Sequence, residues 1–356
     1  MPVIWGALPN YFTGYQKVDD PLVQMRFSQA WQKSDLPSNI GIAATEMMHA
    51  LAKGTLKALY VMGENPVLSD PDQAHVLQGL KACELLIVQD IFMTETAELA
   101  DVVLPAASFA EKQGHFTNTE RRVQQLQVAI PSPGVARQDW QIITDIANAL
   151  GAQWHYDNER TIWHEITQVT PQYRGISWKT IDPTTTNGKH GIQWPCPAEG
   201  HPGTPILHTN QFTRGKAVMR PVSYRLPAEM PCKDYPYVLS TGRLLEQFHT
   251  GTLSRKTAGL NDLATPRVMI SAFDANKLGI DNGEMLTLST RRGNITIAAF
   301  VTKRAQAGVL FLPFHFAEAA ANKLTNNVLD PVAKIPEFKI CAVKVESAKK
   351  PIKCDD

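Results

Sequence analysis

Two rhythms of apolar and polar positions divide the chain. In the first 150 residues, short unbroken apolar runs take turns with helically spaced ones. Residues 40–53 carry Ile42, Met47 and Leu51 at helical spacing, and Gly54 follows as a helix stop. Residues 56–63 are apolar without alternation, the pattern of a strand buried on both faces. Asp70 and Pro71 open a helix reaching about Glu84, with Pro in the first-turn position it favours. Residues 85–90 form a second buried strand, 94–100 a short helix and 101–105 a third strand. Asp139 caps a helix over 140–150, with Gly151 beyond it. Strand, helix, strand, helix, strand predicts parallel βαβ units, a Rossmann-like α/β segment. Residues 1–40 read as extended chain and turns, and 152–233 as irregular linking structure around a few short elements.

From Tyr235 the pattern changes to short strands: 237–241, 267–270, 284–291, 294–302, 308–313 and 339–345. Asp281-Asn282-Gly283 and Arg292-Gly293 are tight-turn signals, the second joining two alternating strands as a hairpin. One helix, 271–278, interrupts them. Six short strands with Gly turns predict a small β-barrel.

Charge and cysteine narrow the chemistry. Lys and Arg total 35 against 34 for Asp and Glu. The chain as a whole therefore has no bias toward nucleic acid or a membrane surface, and an anionic ligand must be held by local groups. Cys83, Cys196, Cys232, Cys341 and Cys354 never fall at C-x-x-C spacing. That favours reduced thiols and a cytoplasmic setting, and opposes a cluster or zinc site built by this chain. No apolar run reaches the ~20 residues needed to span a bilayer. The opening Met1-Pro2-Val3-Ile4-Trp5-Gly6 lacks the basic and apolar regions of a signal peptide. It enters structure abruptly, as though a further segment preceded it.

In parallel sheets, ligands bind beyond the carboxyl ends of the strands. Here those ends are Gly63-Glu64-Asn65-Pro66, Gln89-Asp90 and Pro105-Ala106. The Asp90 carboxylate can accept two hydrogen bonds from a guanine-like edge, and Thr94 at a helix start suits phosphate. Alternatively Asp90 only caps the helix and Thr94 is solvated. No G-x-G-x-x-G follows a strand, so a Rossmann dinucleotide site is not supported. A second candidate is Ser240-Thr241-Gly242-Arg243 with Gln247, His249 and Thr250: glycine lets backbone approach a ligand, and Arg243 can fork onto a diphosphate. Its alternative is a turn with a surface arginine. The third is Phe311-Leu312-Pro313-Phe314-His315-Phe316 with Asn322 and, later, Pro336-Glu337-Phe338-Lys339. A lone histidine among aromatics is more often core than ligand, and the same holds for His115. There is no H-E-x-x-H and no G-x-S-x-G.

Together these segments resemble one family. Gly6-Ala7-Leu8-Pro9-Asn10 with Gly14-Tyr15-Gln16 is similar to the stretch after the N-terminal half of formate dehydrogenase catalytic subunits. Met62-Gly63-Glu64-Asn65-Pro66, the run from Val88 to Ala97, Ala100-Asp101-Val102-Val103-Leu104-Pro105 and Asn118-Thr119-Glu120-Arg121-Arg122 resemble molybdopterin oxidoreductase motifs in the same order. Thr241-Gly242-Arg243 with Phe248-His249-Thr250-Gly251-Thr252, and Pro313-Phe314-His315-Phe316 with Asn322-Lys323-Leu324-Thr325, resemble the family's dinucleotide-binding barrel.

The resemblance implies a six-stranded double-psi-type barrel at 234–356, an α/β segment at 1–150 and a connecting segment at 151–233. It implies a bis(molybdopterin guanine dinucleotide) cofactor carrying molybdenum or tungsten. Its contacts would be Gly63, Glu64, Asn65, Gln89, Asp90, Thr94 and Asp139, then Arg243, Gln247, His249, Thr250, Asn322, Phe338 and Lys339. The family's 4Fe-4S cysteines and its metal-ligating cysteine or selenocysteine lie upstream of the position matching Gly6. No catalytic or metal-ligating residue is therefore expected in this chain. The expected partners are an N-terminal half or separate catalytic polypeptide, and an iron–sulfur electron-transfer subunit. Formate would be the substrate of the complete enzyme. The other readings are a non-catalytic module binding the pterin dinucleotide or a partner, and a nitrate reductase-like enzyme. The expectation tests directly: purified chain given formate and a dye acceptor shows no turnover above buffer, and sustained formate-dependent dye reduction, with contaminating enzyme excluded, would overturn it.

Overall fold

The computed structural model describes residues 8–185, 190–213 and 215–348. The opening residues 1–6, the Gly6-Ala7 part of the first motif and Cys354 lie outside them. Two compact units emerge, each drawn from two stretches of chain: 1–43 with 104–222, and 44–103 with 223–356.

The chain begins with a short antiparallel pair, β1 (Tyr11–Phe12) and β2 (Gln16–Lys17). Helix α1 (Pro21–Trp31) follows, where extended chain was expected. Asp20 caps it by accepting the amides of Leu22 and Val23, and Pro21 takes the first helical position. Phe27 anchors the helix by stacking on Phe12 at 4.4 Å. Then come α2 (Ala44–Ala52), β3 (Ala58–Met62), α3 (Pro66–Ser69), α4 (Gln73–Ala82), β4 (Leu85–Asp90) and β5 (Val102–Pro105). β3 and β4 pair in parallel from Ala58↔Leu85 to Met62↔Gln89, and β5 lies on the other side of β4.

Two expectations for this stretch need correction. Pro71 does not open α4: Asp72 is its cap, accepting the His75 amide at 3.4 Å, while Pro66 starts the separate turn α3. The strands are not buried on both faces either. Val61, Leu86 and Val88 pack with Met48, Leu51, Val76 and Leu80 of α2 and α4. Those helices cover one face only, and Tyr60, Met62, Leu85 and Val102 remain exposed.

The other unit continues with a three-stranded sheet, β6 (Gly114–Thr117), β7 (Arg122–Leu126) and β8 (Ile192–Gln193). Helix α5 (Asp139–Ala149) has Gln138 as its cap residue, so Asp139 is its first helical residue rather than its cap. Helix α6 (Glu159–Val169) was not anticipated within 152–233. Asn158 caps it through the amides of Arg160 and Thr161, and Trp163 ties it down by donating its ring N–H to the Ile176 carbonyl at 2.8 Å.

All six expected barrel strands are present: β9 (Tyr237–Gly242), β10 (Arg267–Ser271), β11 (Met285–Ser289), β12 (Asn294–Thr302), β13 (Val309–Pro313) and β14 (Cys341–Ser347). They close in the order β10-β12-β11-β14-β9-β13. Two parallel pairs, β10 with β12 and β9 with β13, are joined by antiparallel neighbours, so no edge is left open. Alternate residues fill the interior: Leu239, Ile270, Leu286, Leu288, Ile297, Leu310, Leu312 and Val343 are buried. α7 (Ala258–Leu263) and α8 (Ala272–Leu278) lie between strands; Ser271 caps α8 and Gly279 ends it in the left-handed region.

Among the described residues, no helix is long and apolar enough to cross a membrane. Cys83, Cys196, Cys232 and Cys341 are free thiols.

The tightest packing constraint near the sheet is Gly79 on α4. A Cβ there would sit 2.6 Å from the Met48 carbonyl oxygen of α2. Gly79→Ala must push two helices apart, at a cost of about 1–3 kcal/mol for overpacking. Urea unfolding measures it; an unchanged midpoint would show that the two helices are not held this close.

Candidate functional site

The unit built from 44–103 and 223–356 joins the parallel sheet to the barrel through buried polar contacts. The Asn322 side chain donates to the Leu68 carbonyl at 2.8 Å and accepts from the Thr325 hydroxyl at 2.9 Å. The Asp72 amide in turn donates to the Thr325 hydroxyl at 3.4 Å. These contacts set the end of α3 against the barrel.

A cavity of about 300 Å³ opens there, lined by Ser69, Thr241, Arg243, His249, Phe314, Asn322, Phe338 and Lys339. Five residues singled out from the sequence meet in it: Arg243, His249, Asn322, Phe338 and Lys339. Two lining residues are cations and none is a carboxylate. Arg243 lies 5.8 Å from the Phe314 ring centroid, and Lys339 donates to the Thr241 carbonyl at 2.6 Å. Among the described residues, neither cation makes an ion pair. The Thr241 hydroxyl donates to the Phe338 carbonyl at 2.8 Å, fixing the 338–339 segment beside β9. Gly242 is required at the rim, because a Cβ would meet the Phe311 ring at 2.2 Å.

A second cavity of about 350 Å³ holds Thr94 and Thr250 with Thr252, Arg255, Lys256 and Asn261 among its lining. Its electrostatics differ. Arg255 is held by Glu318 through two contacts of 2.8 Å, and Lys256 lies 5.5 Å from the Phe92 ring centroid. Thr94 is neither solvated nor a free hydroxyl: it is buried and caps a short turn by accepting the Ala97 amide at 3.1 Å.

The remaining expected residues line neither cavity. Asn65 is buried, donating to Glu95 at 2.7 Å and accepting from the Thr96 amide and hydroxyl. Gln247 donates to the Leu260 carbonyl at 2.9 Å and accepts from the Ser254 hydroxyl at 2.7 Å. Gln89 is fully buried against the Tyr60 hydroxyl. Gly63, at φ 64°, makes the turn after β3, and Glu64 is exposed. The Asp90 carboxylate accepts the Phe92 amide at 2.9 Å; burial raises its pKa and the amides of Phe92 and Ile91 oppose that. Asp139 belongs to the other unit, where it is ion-paired with Lys112. Ser69, Thr241 and Phe314 were not singled out as contacts. Nothing local marks Ser69, because its place at the cavity is set by Asn322, far along the chain.

His315 explains how the 243–250 segment keeps its shape. Its ring is fully buried; Nε2 accepts the Leu244 amide at 2.8 Å, so Nδ1 carries the proton and donates to the His249 carbonyl. Burial lowers its pKa, the His249 carbonyl opposes this, and Arg243 and Arg255 push it down further. It is a structural pin, as a histidine among aromatics usually is. His115 is also enclosed, between Trp163 at 4.1 Å and Trp178 at 4.8 Å, and burial pushes its pKa down to about 4. Among the described residues, no group of three or more His, Cys, Asp or Glu could hold a metal ion.

The molybdopterin oxidoreductase family matches residues 7–149, and the molybdopterin dinucleotide binding domain matches 237–342. The alpha subunit of the F420-dependent formate dehydrogenase of Methanocaldococcus jannaschii is 49% identical over 96% of this chain and 50% of its own length. Formate dehydrogenase H of Escherichia coli is 35% identical over 96% of this chain and 48% of its own length. Acetylene hydratase from Pelobacter acetylenicus has a similar fold, with TM-score 0.66 at 18% identity, over 91% of this chain and 49% of that one. The chain belongs to the molybdopterin oxidoreductases, with a molybdopterin dinucleotide binding domain in its barrel half. It spans about half the length of the curated relatives it matches.

The role of His315 has a pH signature. The folded loop resists the proton that an unfolded imidazole takes up below about pH 6.5. Its contribution to stability is therefore complete above that pH and falls as pH drops toward the lowered folded value. His315→Leu should remove this slope, leave the Leu244 amide unpaired at a cost of about 1–3 kcal/mol, and speed its hydrogen exchange. Unaltered exchange at Leu244 would contradict the pin.

Proposed function

We propose that this chain is the dinucleotide-clamping portion of a formate-oxidising enzyme. Residues 1–150 serve as the α/β segment, 151–233 as the connection and 234–356 as the dinucleotide-binding barrel. The cofactor is a bis(molybdopterin guanine dinucleotide) with molybdenum or tungsten. The single observation that carries this reading is the cavity at Arg243 and Lys339, with two cations, no carboxylate and two aromatic rings. A diphosphate suits the cations, and a flat heterocycle suits Phe314 and Phe338. Thr250 and Lys256 offer a second polar surface on the same unit.

Bound, the metal–pterin centre supplies the two-electron redox chemistry, by which formate gives carbon dioxide, two electrons and a proton. The residues of this chain hold and orient the dinucleotide arms. Formate as substrate is supported by formate dehydrogenases among its relatives. The cluster and metal ligand belong to a partner polypeptide or an N-terminal half, with an iron–sulfur subunit taking the electrons. Without them the chain is inactive. The free thiols fit a cytoplasmic setting.

Arg243 gives the test. A charge-assisted contact to diphosphate is typically worth ~1.5–3 kcal/mol. Arg243→Ala should weaken dinucleotide binding by roughly 10- to 150-fold. Arg243→Lys should recover only part, since a point charge cannot reproduce the fork. Both variants should stay folded, because Arg243 is exposed at the rim. Cofactor titration into the chain joined with its N-terminal half decides it, and equal affinity in all three proteins would remove Arg243 from the site.

A further inference from the structure

Beside the two cations, the cavity contains an arrangement that binding alone does not explain. Ser69 ends α3 and lines the cavity. The next residue, Asp70, is half-buried, and the Ser69 hydroxyl donates to its Oδ1 at 3.0 Å. Among the described residues, Asp70 makes no ion pair. A carboxyl thus stands one hydroxyl away from a site that otherwise presents only cations and neutral groups.

We propose that Ser69 is a further contact of the anionic ligand in this cavity, and that Asp70 positions it by taking up a proton as the ligand binds. The proposal deepens the reading of the cavity as a diphosphate site and rests on it. With Asp70 ionised, the serine proton points at the carboxylate, and the hydroxyl can offer the cavity only lone pairs, which repel phosphate oxygens. With Asp70 protonated, its own O–H can donate to Ser69 Oγ, and the serine proton is freed to donate into the cavity. The same proton removes a negative charge beside the ligand. Both changes favour anion binding.

The surroundings let this happen near neutral pH. Burial raises the Asp70 carboxyl to about 6; the Ser69 hydroxyl opposes this, and the charge of Glu64 adds to it. On the elements packed here, Asp72 caps α4 and Lys323 follows Asn322 in sequence. Arg243, His249 and Lys339 line the cavity itself. A bound diphosphate adds negative charge and so raises the proton affinity of Asp70, which is linkage in the other direction.

The test uses the full chain and diguanosine diphosphate, a diester whose diphosphate does not titrate between about pH 5.5 and 8. Calorimetry in two buffers of different ionisation enthalpy reads affinity and proton uptake together. Wild type should bind about sixfold more tightly at pH 5.5 than at 7.5, the change over this window that goes with a one-unit rise of one carboxyl from about 6. It should also take up a fraction of a proton on binding near pH 7. Asp70→Asn should bind tightly at both pH values with no uptake. Ser69→Ala, which removes no buried charge, should lose most of the gain at low pH. If Arg243→Ala weakens binding while Asp70→Asn keeps the wild-type slope and uptake, this inference is wrong and the cavity reading stands. If wild type does not bind the diester at any pH, both fall.

Discussion

One buried amide holds the candidate site together. The side chain of Asn322 spends its donor on the Leu68 carbonyl and its acceptor on the Thr325 hydroxyl. A buried polar group left without a partner costs about 1–3 kcal/mol, so this bonding set is specific as well as stabilising. It fixes the end of α3 against the barrel. Without it, Ser69 from one element and Arg243, Phe338 and Lys339 from another would have no reason to line one cavity. The barrel supplies rigidity: all six strands close, and the cations sit where β9 ends and just before β14 begins.

The two cavities divide the work by charge. At Arg243 and Lys339 the cations face no carboxylate, and the local field favours an anion. At Arg255 the guanidinium is already matched by Glu318, leaving threonine hydroxyls and Lys256 as the available polar groups. His315 sits between these regions as a neutral pin, one nitrogen holding Leu244 and the other holding His249. A protonated ring could not accept the Leu244 amide, so burial of His315 and the shape of the 243–250 segment depend on each other.

Much of the fold was legible in the sequence because its signals were local. The barrel strands are short, alternating and separated by glycine turns, and all six fall where that pattern puts them. The βαβ order survived as well. What failed was capping chemistry read one step out of place. Pro71 masks the Asp72 cap beside it, whereas Asp20-Pro21 and Asn158 are ordinary local cap signals before α1 and α6. The site was legible in a different way. Arg243, His249 and Asn322 lie in the family motifs, Phe338 and Lys339 are contacts the resemblance implies, and all five meet at one cavity. Asn65 and Gln89 sit in such motifs and Gln247 just before one, yet their side chains are buried and bonded to their neighbours within this unit. Spacing cannot distinguish a polar side chain aimed at a ligand from one aimed at other residues of the same fold. Ser69 shows the converse, since its position depends on a residue about 250 places away.

A structure of this chain with a guanosine dinucleotide diphosphate bound would test the central claim most directly. The account predicts the diphosphate within hydrogen-bonding reach of both Arg243 and Lys339, with Asn322 still bonded to the Leu68 carbonyl. A diphosphate seated elsewhere, with the Arg243 and Lys339 cavity holding only solvent, would contradict it.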